Sequence, residues 1–373
     1  TMLPKQWDVK GMLTDSGKDG NPFELVAEIE LPPAPMMAVQ RLVDHAFVCK
    51  RTRDRGDHHM PVRLEVVKVV RVQNSAAWIK YSKARMNIQG SDELVPPIIT
   101  STHEDRIIPL ALGELDLKSN EHWLFHGTSQ AGVQGIAHGD FRLELAGTHR
   151  GTMYGNGVYL AECSSKADEY TYEEDGLCRM LLCRAVLGRM LIDQSARPDS
   201  DALAQQCAAQ SCDSLCGDRW TAVGTFREFI LYKQGQVYPA YIIYYRRVGQ
   251  AELLQSIGQA AEKEDYRSAA RYIAHAASLG ESHPDPVVRY RISMLLAART
   301  QLVVPSLIQC LRDERRPLRR MAAAALGKLG THTTPAVPGL AGANDTCKAI
   351  VAVAVPELAQ HLKDESADVR ELC

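Results

Sequence analysis

Twelve residues late in this chain, Val303-Val304-Pro305-Ser306-Leu307-Ile308-Gln309-Cys310-Leu311-Arg312-Asp313-Glu314, return 51 positions on as Ala354-Val355-Pro356-Glu357-Leu358-Ala359-Gln360-His361-Leu362-Lys363-Asp364-Glu365. Apolar positions 304, 307, 308, 311 and 355, 358, 359, 362 fall on one helical face. A second helix type, Leu318 to Gly330, has partners beginning at Val288-Arg289 and Val369-Arg370. Short amphipathic helices cannot bury such stripes alone and must stack, so residues 284–373 are expected to form an α-solenoid. Pro335 to Asp345 breaks the period. The chain opens at Thr1 and stops within a helical pattern, so a fragment with truncated repeats is expected.

The text ahead of residue 284 is of another kind. A chain of 373 residues exceeds the usual domain size of ~100 to 200, which predicts two or three domains. Net charge is -2 from 43 basic and 45 acidic residues, which gives no global field for nucleic acid or an anionic membrane. The longest apolar run, Ala349 to Pro356, is far short of the ~18 residues of a membrane span, and there is no basic-then-apolar leader. Ten scattered cysteines favour an intracellular setting, cytoplasmic or nuclear. Cys207, Cys212 and Cys216 lack a Cys-x-x-Cys pair and a nearby fourth ligand, so they read as a plain loop without metal.

Residues 1 to about 35 carry little periodicity; Trp7 is expected to dock into a core. Val39, Leu42, Val43 and Ala46 predict a helix over 38–48. The charged turn Arg51-Thr52-Arg53-Asp54-Arg55-Gly56 is expected to be solvated surface. β-Branched residues predict a strand from Arg63 to Val72, after which Asn74 or Ser75 caps a helix through Trp78 and Tyr81 to about Met86. Pro96-Pro97 reads as a linker.

The motifs that carry chemistry are spaced over a hundred residues. His126-Gly127-Thr128 is followed 33 residues later by Tyr159 in Gly155-Asn156-Gly157-Val158-Tyr159, and 69 after that by Glu228 in Phe226-Arg227-Glu228-Phe229. Ser165-Lys166-Ala167-Asp168-Glu169-Tyr170 and Leu181 to Gly188 lie between Tyr159 and Glu228, and Gln236 to Tyr245 follows. This series resembles the His, Tyr, Glu signature of the poly(ADP-ribose) polymerase family of ADP-ribosyltransferases. The repeats are similar to HEAT repeats. Gly155-Asn156-Gly157 lacks the third glycine and the strand-to-helix context of a dinucleotide-binding turn.

The resemblance implies an α+β catalytic domain of two packed, mainly antiparallel sheets over 60–247, with NAD+ as co-substrate and no metal. It implies that Glu228 holds the 2′-hydroxyl of the nicotinamide ribose and opposes developing oxocarbenium charge. His126 would hold the adenine-side ribose, Gly127 the nicotinamide carboxamide through its backbone, with Thr128 beside it. Tyr159 and Tyr170 would flank the nicotinamide ring. Arg142, in a donor loop over Asp140 to Arg150, would reach the adenine ribose or pyrophosphate. Where many members carry a Ser that donates to the carboxamide, this chain has Ala167, a loss of about 1 kcal/mol; Ser165 is the nearest other donor.

The chain thus reads as an N-terminal segment of unknown role (1–59), a transferase domain (60–247), a helical linker (248–283) and HEAT-like repeats (284–373). The activity implied is transfer of ADP-ribose from NAD+ to acceptor proteins, with the repeats binding a protein partner. A degenerate scaffold that holds NAD+ or ADP-ribose and recruits partners is the alternative.

Overall fold

A computed structural model describes residues 3–4, 7, 26–56, 60–88, 100–102, 112–145, 153–263, 265–266, 269–270, 272–276, 300–313, 316–331, 356 and 359–360. In chain order the first unit contains β1 (Val26–Glu30), α1 (Pro33–His45), β2 (Arg63–Asn74), α2 (Ser75–Ile88), β3 (Glu121–Gly127), α3 (Gln130–Gly139), β4 (Val158–Ala161) and α4 (Ser164–Asp168). Then come β5 (Cys178–Val186), β6 (Met190–Asp193), α5 (Ser200–Ala209), β7 (Ser214–Asp218), α6 (Arg219–Val223), β8 (Arg227–Leu231) and β9 (Val237–Val248). Further on lie α7 (Gln250–Glu262), α8 (Thr300–Leu311) and α9 (Arg316–Thr331). Among the described residues no helix is long and apolar enough to cross a membrane.

Local chemistry accounts for the early elements. The run of valines builds β2, and Asn74 Oδ1 accepts from Ala77 N at 3.0 Å, capping α2 as its sequence predicts. Helix α1 starts earlier than the apolar spacing indicates, because Pro33 and Pro35 suit a first turn that needs no N–H donors. It ends at His45, short of the expected Val48.

The strands form one nine-stranded sheet in the order β1-β2-β9-β5-β3-β4-β8-β7-β6, which corrects the expectation of two packed sheets. The physical reason lies at the centre. β3 pairs with β5 over seven residues, yet meets β4 through the single pair Phe125↔Ala161, while β4 pairs with β8 over four. Five strands and four strands are therefore joined at one point. Of the pairings whose register is described, only β6–β7 is parallel. Pro239 in β9 cannot donate to a ladder, and the register with β5 shifts there between Leu182 and Cys183.

Both faces of the sheet are covered, and the period of two sorts the side chains. Trp123 and Phe125 pack into one core with Leu42, Trp78, Tyr81 and Tyr238, whereas Leu124 enters the other with Leu181, Phe229 and Ile242. Trp7 is buried in the first core, its ring centroid 6.0 Å from that of Trp78. Cys207 sits on α5 and Cys216 on β7, both buried, so the three-cysteine stretch is a helix, a turn and a strand rather than a plain loop. Among the described residues no group of three or more His, Cys, Asp or Glu is placed to hold a metal ion.

Contacts divide the chain into two units: residues 1–48, 52–58 and 64–247, and residues 49–51, 59–63 and 248–373. In the second, α8 buries Val304, Leu307 and Leu311, positions of the predicted stripe, and α9 buries Ala322, Ala323, Ala325 and Leu326. The partner stretches from Val288 and Val369, Pro335 to Asp345, and most of 354–365 lie outside the described residues, as does Pro96-Pro97.

Candidate active site

The three motif residues stand on the three strands that meet at the middle of the sheet: His126 on β3, Tyr159 on β4 and Glu228 on β8. Glu228 is opposite Ala161, and Tyr159 precedes Ala161 by two, so Tyr159 and Glu228 share a face. His126 Nδ1 is 2.9 Å from the Tyr159 carbonyl. A carbonyl only accepts, so Nδ1 carries the proton and Nε2 is left as an acceptor. Burial holds this imidazole below its usual value, which keeps it neutral at pH 7. The ring of Phe141 meets it edge-on at 5.2 Å.

Gly127 has a packing reason as well as the implied ligand role. A Cβ there would lie 1.8 Å from the Ala167 carbonyl oxygen, so only glycine lets α4 close on the end of β3. Thr128 folds over the first turn of α3, where its Oγ1 lies 2.3 Å from the place a Cβ on Gly132 would take. Ser129 caps that helix by accepting from Gly132 N at 3.1 Å. Tyr159 is fixed by its own turn: the hydroxyl accepts from Tyr154 N at 2.9 Å and donates to the Gly155 carbonyl at 2.8 Å.

Ser165 is fully buried, and its hydroxyl donates to the Val48 carbonyl at 2.7 Å and accepts from Val48 N at 3.1 Å. Ser164 donates to the Val43 carbonyl at 2.9 Å. The serines thus tie α4 to the chain just after α1. Ala167 is buried in the apolar core with Cys178 and Met180. Arg142 is exposed beyond α3, and residues 146–150 of the expected donor loop lie outside the described residues.

The charged turn before β2 is exposed at Arg51, Arg53, Asp54 and Gly56 as expected, but Arg55 is buried, which corrects that expectation at one residue. Arg55 is 1% exposed; its guanidinium donates to Asp168 Oδ2 and to the Ser165 carbonyl, each at 2.8 Å. The neighbouring Asp54 reaches the site. Its Oδ2 accepts from Lys166 Nζ at 2.7 Å and from the Tyr170 hydroxyl at 2.8 Å. Lys166 also donates to Glu169 Oε2 and to the Tyr170 oxygen, both at 3.0 Å, and its Nζ lies 3.8 Å from Glu228 Oε1. Tyr170 is thereby held over the lysine, 4.8 Å from Nζ to the ring centroid.

Electrostatics follow from this crowding. Burial pushes the Glu228 carboxyl above its ordinary value, Lys166 pulls it back, and Asp54 and Glu169 add to the rise. Burial works against the Lys166 cation, but Glu228, Tyr170, Glu169 and Asp54 more than offset it and push the ammonium up. Burial also raises both Tyr159 and Tyr170, to which the charge of Glu228 contributes. Lys166, Asp54 and Glu169 were not singled out by sequence. The spacing of Lys166 to Glu169 and Tyr170, three and four residues on, was the available signal.

Residues 46–213 match the model of the poly(ADP-ribose) polymerase catalytic domain, and 273–354 match that of HEAT repeats. The first match takes in every candidate site residue except Glu228. Protein mono-ADP-ribosyltransferase PARP12 of Homo sapiens is 26% identical over 196 residues, 52% of this chain and 23% of that protein. The Mus musculus protein of the same name is 26% identical over 184 residues, 48% and 21% of the two chains. A probable poly [ADP-ribose] polymerase of Dictyostelium discoideum is 25% identical over 197 residues, 52% of this chain and 48% of that one. The chain therefore spans less than half the length of each of these relatives. The series of motifs, the site on three adjoining strands and the matched stretch agree: residues 46–213 are similar to the catalytic domain of the poly(ADP-ribose) polymerase family, and residues 273–354 are similar to HEAT repeats.

Proposed function

We propose that this chain is an NAD+-dependent ADP-ribosyltransferase that moves ADP-ribose from NAD+ to protein acceptors and releases nicotinamide. In that reaction the bond from ribose C1′ to the nicotinamide nitrogen breaks, a bond from C1′ to the acceptor forms, and the acceptor's proton is given up. His126, neutral and with Nε2 as an acceptor, suits a ribose hydroxyl that donates. Gly127 offers backbone groups with no side chain in the way. Tyr159 and Tyr170, both fixed by hydrogen bonds, are the aromatic faces for a cationic ring. Thr128 belongs beside the carboxamide grip, and Arg142 is the candidate for the adenine-side ribose or pyrophosphate.

The observation that carries this reading is Glu228. It lies largely withdrawn from water, its side chain 15% exposed, beside Lys166 and on the face that Tyr159 shares. A carboxylate so placed can bond a ribose hydroxyl, stabilise developing positive charge at C1′ and receive an acceptor's proton. Because only the ionised form does this, transfer should fall away in acid at a pH above that of an ordinary glutamate. Glu at this position also permits an ADP-ribose hydroxyl to act as acceptor, so chain elongation is chemically open. The curated relatives divide between single-unit and polymer in their names.

We assign the domains as read from sequence, with the repeats as a stacked solenoid that recruits a protein partner and Ser165 as an anchor of α4. The scaffold alternative has less support, since His126, Tyr159 and Glu228 are all present. Incubation with labelled NAD+ tests the proposal: label on protein supports transfer, whereas NAD+ binding without label or nicotinamide release supports the scaffold.

A further inference from the structure

Asp54 precedes the first motif residue by 72 positions, yet its carboxylate touches two of the groups that surround Glu228. An ammonium has three N–H donors. Those of Lys166 have three acceptors at hydrogen-bond distance: Asp54 Oδ2 at 2.7 Å, Glu169 Oε2 at 3.0 Å and the Tyr170 oxygen at 3.0 Å. Glu228 Oε1, at 3.8 Å, receives the field of the cation without a hydrogen bond from it. We infer that Asp54 is a positioning residue for the transfer reaction, holding Lys166 on itself and Tyr170 in place so that the Glu228 carboxylate stays free to accept a substrate hydroxyl. The inference rests on the reading of Glu228 as the catalytic carboxylate.

The turn is built to deliver this group. Thr52 Oγ1 accepts from Asp54 N at 3.2 Å and donates to Glu169 Oε2 at 2.7 Å. Arg55, buried against Asp168 and the Ser165 carbonyl, bolts the same turn to α4. Asp54 lies on an exposed turn, yet its backbone N–H and its carboxylate are both held by hydrogen bonds. Its carboxyl sits in a partly buried place, which alone would raise its pKa, yet the bond and charge of Lys166 and the bond from Tyr170 hold it below the usual value. It is an anion throughout the working range of pH.

Removing that anion has a defined consequence. A donor of Lys166 is released, and Glu228 Oε1, 3.8 Å from Nζ, is within reach of a small shift of the ammonium, which closes on it. The groups that act on Glu228 are Lys166 from α4, Glu169 at the end of that helix, Asp54 from the turn and Arg219 from α6, while Tyr154, Tyr159 and Tyr170 feel its charge. Loss of Asp54 takes away a negative charge and brings a positive one closer. Both changes favour the ionised form of Glu228 while engaging it in an ion pair.

The test is the pH profile of labelled ADP-ribose transfer by the full chain. In Asp54→Ala the acid limb is expected to move down by about one pH unit. At the optimum kcat should fall about tenfold, with a smaller change in KM for NAD+, because the loss is in the reacting carboxylate rather than in substrate binding. Asp54→Asn keeps an acceptor for Lys166 and should recover most of kcat. An unchanged acid limb and kcat in Asp54→Ala, with Glu228→Gln inactive, would overturn the inference and leave the role of Glu228 standing; a lower unfolding temperature with an unchanged profile would do the same. Transfer that persists in Glu228→Gln removes the reading beneath it. If Asp54→Ala does not fold, Lys166→Gln carries the test: without the cation the acid limb should move up, and a limb that stays in place overturns the proposal.

Discussion

Gly127 and Glu228 illustrate two ways in which a residue can be fixed by its surroundings. At Gly127 even a methyl group would overlap the Ala167 carbonyl, since its Cβ would stand 1.8 Å from that oxygen. Gly127→Ala should therefore push α4 off β3, lowering the unfolding midpoint by several degrees and removing NAD+ binding together with transfer. Full stability and activity in that variant, measured by thermal unfolding and NAD+ titration, would show that the two elements do not meet this closely. Glu228 is held at a cost to stability. Its folded pKa is raised above 4.5, so the folded chain takes up the proton more readily than the unfolded one. The associated stability is fully present below the unfolded value and is lost as pH rises through the folded one. Glu228→Gln resembles the protonated form, so at pH 7 it should unfold at a higher temperature than the native chain, and the gap should close as pH falls below the ordinary glutamate range. Unfolding scans at the two pH values check this.

His126, Tyr159 and Glu228 could be put forward together as candidate site residues because a motif series in order survives without knowledge of contacts, and the structure sets them on adjoining strands. Asp54 could not be put forward. Five charged or hydroxyl residues in six, Arg51 to Gly56, read as water-facing, and only the tertiary structure reveals that Arg55 finds Asp168 and Asp54 finds Lys166 more than a hundred residues away. Burial of a charge depends on its partner, and the partner here is remote in sequence.

Among the elements, α4 is the one on which the site depends most, and five residues could not hold their place alone. Its anchors are the bonds of Ser164 and Ser165 to Val43 and Val48 and the bond of Ser164 N to the Ala46 carbonyl at 3.0 Å. Ser165→Ala leaves the Val48 N–H and carbonyl without their partner, which costs about 1 to 3 kcal/mol. The variant should lose several degrees of stability while nicotinamide affinity changes little. Weaker nicotinamide binding at unchanged stability, read by calorimetry, would instead make Ser165 a ligand donor. The strand β2 and the cap of α2 were readable from β-branched residues and one Asn. The joining of two strand groups by the pair Phe125↔Ala161 was not, because a single long-range pair leaves no mark in either segment.

At the scale of the molecule, two kinds of text gave two kinds of structure. The stripe at 304, 307 and 311 is buried on α8 as its helical period requires, and HEAT repeats are matched over 273–354. The candidate site residues all lie before residue 230, so a chain ending after Gln250 should keep transfer and lose binding to a partner protein. A folded truncation without activity would mean that the repeats take part in catalysis. The most direct test of the whole account is one denaturing gel. The full chain and Glu228→Gln are incubated with NAD+ labelled in its adenylate half, and bound NAD+ is measured in parallel. Label on protein with the native chain, reduced well over tenfold in Glu228→Gln while NAD+ is still bound, is the predicted result. Equal labelling by both chains, or none by either, would contradict it.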